Sequence, residues 1–322
     1  VQRCSWCSFR LAGAKGSAVY HIPLLNLIQS LLFNTAAPTM GRLVRAVRYT
    51  VIPPESNSIP VVPADLEAHL TSVAQIVSDE FAGGQYVDEI ARKYYAECHF
   101  DWNTSRLAFE GDELVHHWGV WGYPMRLGPI ELMAAGVGAV VTREPFRNQG
   151  IMHRAALASF EAMRANGYDV SILRGRHYHK YGYRRAWNYD TWRIKAEDVH
   201  PPESPVETQP LGPDHMDQIG ELYNQTHARL NGTAVRPTYP MLEEGEMNAH
   251  GWFEKDGSLG GYVRASKNED DGSLRCLEAA GDAETGLAVL AGMFHEGEYE
   301  SMTFFTMPAL HPVLQRVRWG MV

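Results

Sequence analysis

Val140-Val141-Thr142-Arg143-Glu144-Pro145-Phe146-Arg147-Asn148-Gln149-Gly150-Ile151-Met152-His153 is the stretch whose reading decides the fold. Residues 135–142, small and valine-rich, read as a buried strand with close backbone approaches at Gly136 and Gly138. Apolar residues at 151, 152, 155, 156, 160 and 163 predict a helix over 151–166, closed by Gly167. The loop between them delivers the chain to a helix N-terminus, where unpaired amides and the positive end of the dipole favour an anion such as a pyrophosphate. Gly150 admits a phosphate, Arg147 adds a fixed cation, and Gln149, Gly150, Met152 and His153 offer amides. The same residues also describe a plain strand-to-helix turn with a surface arginine, so a second piece of sequence has to decide.

That piece lies one strand further on. Residues 170–173 read as another buried strand, which makes the order strand, loop, helix, strand, a right-handed crossover. Tyr178-His179-Lys180-Tyr181-Gly182-Tyr183 follows after a short loop. Together the two pieces resemble the GNAT acyltransferase family. Arg147-x-x-Gly150 is similar to its R/Q-x-x-G-x-G/A loop, with Met152 departing from the final Gly or Ala, and Tyr178-x-x-Tyr181-Gly182-Tyr183 is similar to its tyrosine-x-x-aromatic-Gly-aromatic segment. The bulky Met152, the Pro-x-Arg-like loop and the Tyr ending resemble the Eis-type branch, which carries two GNAT domains in tandem.

The resemblance implies an N-acetyltransferase that uses acetyl-CoA as co-substrate and no metal. It implies that Val140, Val141 and Thr142 pair with the pantetheine arm, and that Arg147, Asn148, Gln149, Gly150, Ile151, Met152 and His153 hold the pyrophosphate. A phenol near the departing thiolate is a suitable general acid, and the resemblance makes it Tyr178; Tyr181 and Tyr183 are better read as packing aromatics. Glu131, Asp79, Glu80, His116 and His117 are all conceivable bases, and adjacent His116 and His117 must point to opposite faces of one strand. The branch implies homo-oligomers and a third, sterol-carrier-like domain supplying a terminal carboxylate as base; the sequence stops at Val322 short of such a domain, so the expectation is either a fragment or a base supplied otherwise. The acceptor it suggests is a primary amine on a cationic small molecule, an aminoglycoside or polyamine, or a lysine side chain.

Working outward, 65–81 has helical periodicity behind Asp65 as N-cap, and 88–97 continues as helix. A hairpin turns at Gly111-Asp112, and a short strand at 129–133 precedes the buried one. Prolines 201, 202, 205 and 210 mark 201–213 as a linker. Beyond it come a helix at 214–230, a hairpin at 251–265, a strand at 276–281 and a helix at 285–295, an order that repeats the first half. No R/Q-x-x-G loop occurs in 211–322. The expected architecture is therefore α/β with mixed sheets (α+β): a catalytic GNAT domain over 40–200 and a degenerate GNAT-like copy over 214–322.

Residues 1–39 carry three cations and an apolar run, 22–33, ahead of Thr35-Ala36-Ala37, and so imitate a signal peptide. The reading preferred is an extension upstream of Met40 with no role in the fold. The run is too short to span a bilayer. Four cysteines (4, 7, 98 and 276) make no disulfide framework, and the Cys4-x-x-Cys7 pair lacks the second pair a structural zinc site needs; a reducing, cytoplasmic setting is expected. Residues 201–322 carry 8 basic and 19 acidic side chains. Such a surface repels phosphate backbones and draws cations, although acids of this kind also simply aid solubility. Residues 174–185 interleave basic and aromatic side chains, a pattern of single-strand nucleic-acid binders; in an acidic protein it is better assigned to coenzyme phosphates, and no nucleic-acid or membrane partner is expected. The rival to an enzyme is a silent acyl-CoA-binding sensor.

Overall fold

The computed structural model describes residues 19–21, 58–175, 177–186, 190–236 and 248–318. Cys4, Cys7, the 22–33 run and Met40 lie outside the described residues. Two sheets organise the chain. The first has the order β2-β3-β4-β5-β6-β1-β7. Its strands are β1 (Val19–His21), β2 (Val61–Pro63), β3 (Arg106–Glu110), β4 (Glu113–Leu127), β5 (Ile130–Thr142), β6 (Val170–Arg174) and β7 (Arg184–Arg185). The second, β8-β13-β12-β11-β10-β9, contains β8 (Asp190–Lys195), β9 (Gln209–Pro210), β10 (Ala249–Phe253), β11 (Leu259–Lys267), β12 (Leu274–Gly281) and β13 (Ser301–Met307). β8 pairs with β13, so the change of sheet falls between β7 and β8, ahead of the Pro-rich segment 201–213.

Among the described residues, each sheet has one parallel pair, β5/β6 and β12/β13, and the other pairings are antiparallel. A helix crosses over each parallel pair: α3 (Ile151–Ala165) and α5 (Ala283–Glu296). The opposite faces carry α1 (Leu66–Ala82) and α2 (Val87–Ile90) in the first unit and α4 (Met216–Thr226) in the second, while α6 (Pro312–Arg318) packs beside α5. No helix among the described residues is long and apolar enough to cross a membrane.

Side-chain alternation on β4, shifted once by the irregularity opposite Ala108 and Phe109, explains the first unit's two cores. Trp118 and Val120 face Ala155, Ala156 and Phe160 of α3, whereas Leu114 and Trp121 face Val73, Ile76 and Val77 of α1. Asp65 caps α1, its carboxylate accepting from the Ala68 amide at 2.8 Å, and Gly83 closes the helix at φ 62°. Two elements differ from the sequence reading. The strand expected at 129–133 is continuous with the next one, because β5 pairs with β4 from Ile130 to Thr142 around a single bulge. The helix expected at 88–97 is α up to Ile90 and then a π-turn, Ala91–Ala96. The Tyr94 carbonyl in this turn accepts from the Trp121 indole at 3.0 Å and from the Cys98 thiol.

The second unit docks on the first through backbone. Arg126 N–H donates to Thr233 O (2.8 Å), Gly232 N–H to Arg126 O (2.8 Å) and Val235 N–H to Pro124 O (2.9 Å), which extends β4 by a short antiparallel partner. The buried Arg126 guanidinium donates to Ala234 O and Asn224 Oδ1. Behind this seam lies a buried polar knot: Arg236 pairs with Glu278 at 2.6 Å and Tyr262 donates to the same carboxylate at 2.7 Å. Burial alone would raise the Glu278 carboxyl, but Arg236 and Arg264 beside it pull it down to about 2.

Candidate active site

The first crossover is built around a strand that outruns its neighbour. β5 and β6 pair from Ala134/Val170 to Val137/Leu173, while β5 continues to Thr142. On the other side β4 follows β5 to the end, with one irregularity: Trp118 alone stands opposite Ala139 and Val140. Ala139 sits there at φ 47°, an uncommon conformation for a residue with a Cβ. The result is a length of β5 holding Val140, Val141 and Thr142 beyond its last pairing with β6.

The loop that follows is held by its own arginines. Arg143 donates from Nε to Leu114 O at 3.1 Å and pairs with Asp79 at 3.1 Å, while Arg147 donates to Thr142 O at 2.9 Å and meets Glu80 of α1 at 3.4 Å. Asn148 at φ 65° and Gly150 at φ 70° turn the chain into α3, and Arg147, Asn148, Gln149 and Gly150 are exposed. Gly150 is the N-cap and supplies no side-chain acceptor, and the first helical bond closes only at Arg154 N–H to Gly150 O. The first-turn amides of Ile151, Met152 and His153 are thereby left to an outside acceptor, beside a guanidinium held by weak surface pairing. These residues fit a pyrophosphate. Arg154, which the sequence reading passed over, donates to Gln149 O (3.1 Å) and Ile59 O (3.0 Å) and so braces the turn. A cation in the first turn of a helix opposes the dipole, and that mismatch was the available signal.

Tyr178 follows β6 in a short 3-10 turn, His177–Tyr181. Its half-buried ring meets Trp118 edge-on at 5.9 Å and Tyr183 at 6.3 Å. Gly175 makes room, since a Cβ there would lie 2.7 Å from the Tyr178 ring. Tyr181 and Tyr183 are buried among Phe160 and the α3 face; Tyr183 shares a hydrogen bond with Ser171 at 2.6 Å, and burial pushes the Tyr181 phenol up to about 12. His153, in the first turn of α3, stacks on Tyr181 at 5.6 Å, which ties the loop to the tyrosine segment.

The five candidate bases are dispersed. Asp79 and Glu80 are engaged by Arg143 and Arg147. Glu131 is exposed at the far end of the β4–β5 hairpin, opposite Arg126. His116 bonds Thr142 Oγ1 at 2.8 Å and His117 bonds Ala139 O at 2.7 Å. Both rings are fully buried, and desolvation lowers them to about 3 and about 4, so both are neutral and weakly basic at pH 7.

With this geometry in place, comparison with known proteins defines the class. Residues 67–186 match the profile of the acetyltransferase (GNAT) domain, a family that uses acyl-CoA. No curated protein matches the sequence. Among solved structures, the chain resembles a conserved protein of unknown function from Enterococcus faecalis V583, designated a probable N-acyltransferase (18% identity, TM-score 0.64, covering 77% of this chain and 65% of that one). It also resembles Eis1 of Mycobacterium abscessus (16% identity, TM-score 0.57, 80% and 68%). N-myristoyltransferase of Saccharomyces cerevisiae, solved with myristoyl-CoA, aligns over 92% of this chain and 89% of its own (11% identity, TM-score 0.51). At these identities the likeness is one of fold, and it extends over both sheets. The chain spans 65% of the length of the Enterococcus protein.

Proposed function

We propose that this chain transfers the acetyl group of acetyl-CoA to a primary amine, with the second unit shaping the acceptor side in an Eis-like tandem arrangement. The observation that carries the reading is the coincidence, at one crossover, of an uncapped helix N-terminus beside Arg147, a strand end freed from β6, and Tyr178 just beyond β6. The phosphates would take the amides of α3, and the pantetheine arm would run along Val140 to Thr142. The amine nitrogen attacks the thioester carbon, the new C–N bond forms as C–S breaks, the ammonium proton leaves to solvent, and Tyr178 protonates the departing thiolate and regains its proton from solvent. The excess of acidic over basic side chains in 201–322 favours a cationic acceptor, such as an aminoglycoside, a polyamine or a lysine side chain.

The test is thiol release from acetyl-CoA against a panel of those amines. Turnover with polyamines or aminoglycosides supports the reading. Tight coenzyme binding with no turnover on any amine supports the acyl-CoA sensor instead.

A further inference from the structure

His117 is a buried, conspicuous group that the proposed reaction does not use. Its ring fills a notch between β4 and β5. A Cβ on Gly119 would lie 2.7 Å from His117 Cε1 and 3.0 Å from Gly138 O, so the ring fits only because position 119 has no side chain. Phe100 stacks on it at 5.9 Å with 17° between the planes, and Tyr95 meets it edge-on at 5.8 Å. The ring is therefore fixed in orientation, with Nδ1 directed at the Ala139 carbonyl, 2.7 Å away.

A carbonyl oxygen only accepts, so Nδ1 carries the ring proton and Nε2 carries the lone pair. Nε2 has no partner among the described residues and is buried in the aromatic cluster. Its lone pair is closed off from any incoming amine, and burial holds the ring neutral. The hydrogen bond that His117 makes falls on the residue with the unusual backbone, Ala139 at φ 47°, where β5 bulges against β4. In a trans peptide the C=O and the next N–H point in opposite directions. Anchoring the Ala139 carbonyl thus fixes the direction of the Val140 amide, which turns away from His117 within the stretch of β5 that lies beyond its last pairing with β6.

We propose that His117 is a positioning residue for acyl transfer: its Nδ1–H clamps the Ala139 carbonyl and so aims the Val140 amide at the acyl donor. The clamp rests on the acetyltransferase reading for its consequence in turnover, while its geometry is independent of that reading. Gly119 and Ala139 belong to the same device, the first by making room for the ring and the second by supplying the turned peptide.

The experiment uses the full chain and two conservative variants. His117→Asn places an amide donor near the Nδ1 position, whereas His117→Leu fills the volume without a donor. His117→Leu should lower kcat roughly 10- to 100-fold, as expected for a misaimed reacting group, with coenzyme KM within about twofold because the 147–153 loop is untouched; His117→Asn should recover most of the loss. Equal kcat in wild type and His117→Leu, or a matching loss in both variants, overturns the proposal. Should His117→Leu fail to fold, ring 15N resonances of the wild type decide: a proton on Nδ1 that stays in place from pH 8 to 5.5 supports the clamp, and an Nε2–H tautomer or a titrating ring overturns it. Absence of turnover in the wild type would count against the acetyltransferase reading and leave the tautomer measurement valid.

Discussion

The two crossovers of this chain share a topology and differ in what occupies their ends. In the first, β5 runs past its last pairing with β6, and α3 begins at Gly150 without a side-chain cap. In the second, β12 runs past Cys276, its last residue paired with β13, but α5 begins at Asp282, whose carboxylate accepts from the Thr285 amide and hydroxyl, each at 2.8 Å. Those bonds hold the Asp282 carboxyl below its ordinary value. The freed end of β12 is also taken: His311, arriving after β13, donates from Nε2 to Ala279 O at 3.1 Å and accepts the Val313 amide on Nδ1. One frame thus carries no side-chain cap on its helix amides, and the other satisfies both its helix cap and a strand-end carbonyl from within.

The contrast can be broken at each of its parts. Tyr178→Phe should lower kcat by about 100-fold or more, the scale of general acid catalysis, with the coenzyme dissociation constant within twofold by calorimetry; unchanged turnover removes Tyr178 from the chemistry. Gly150→Asp imposes the second unit's cap on the first. A carboxylate among the α3 amides, on a residue at φ 70°, should weaken acetyl-CoA binding at least about 100-fold, and Gly150→Ala by only about 10-fold through backbone strain alone. Equal losses in the two variants would mean that strain, not the anion site, is what was measured.

Stability against pH sharpens the comparison from another side, because among the described residues each unit buries two histidines. His116 and His117 in the first, and His227 and His311 in the second, are held by desolvation at about 3, 4, 4 and 3. The unfolded chain binds protons at these rings as pH falls below about 6.5, and the folded chain does not. Their contribution is complete above that value and is lost progressively as pH drops toward 4. Urea midpoints at pH 7, 5.5 and 4.5 should fall in that order, and His311→Gln should flatten the slope; a flat profile in the wild type contradicts it. The smallest effect is at the second cap. Asp282→Ala should cost about 1 kcal/mol in urea unfolding, the usual worth of an N-cap, with acetyl-CoA affinity unchanged.

Much of this was legible in the sequence because it rests on local rules. The strand, loop and helix of residues 135–166 announce themselves by period and by Gly150, and Asp65 reads as a cap from its neighbours alone. Tyr181 and Tyr183 read as packing residues, and both are buried. What escaped depends on partners distant in the chain. The π-turn at Ala91–Ala96 is bonded to the Trp121 indole, and the bulge at Ala139 to a histidine on the neighbouring strand, in a run of small residues that carries no period of its own. β8 reads as a tail of the first unit until β13 pairs with it. The Asp282 cap was within reach, since an Asp precedes a helix with a threonine three residues on, yet its meaning emerges only beside Gly150.

The central claim, one open crossover and one closed, is tested most directly by the stoichiometry of acetyl-CoA binding to the full chain in a calorimetric titration. The account predicts one coenzyme per chain, with binding lost in Gly150→Asp and retained in Asp282→Ala. Two coenzymes per chain, or a single site that survives Gly150→Asp and disappears in Asp282→Ala, would contradict it.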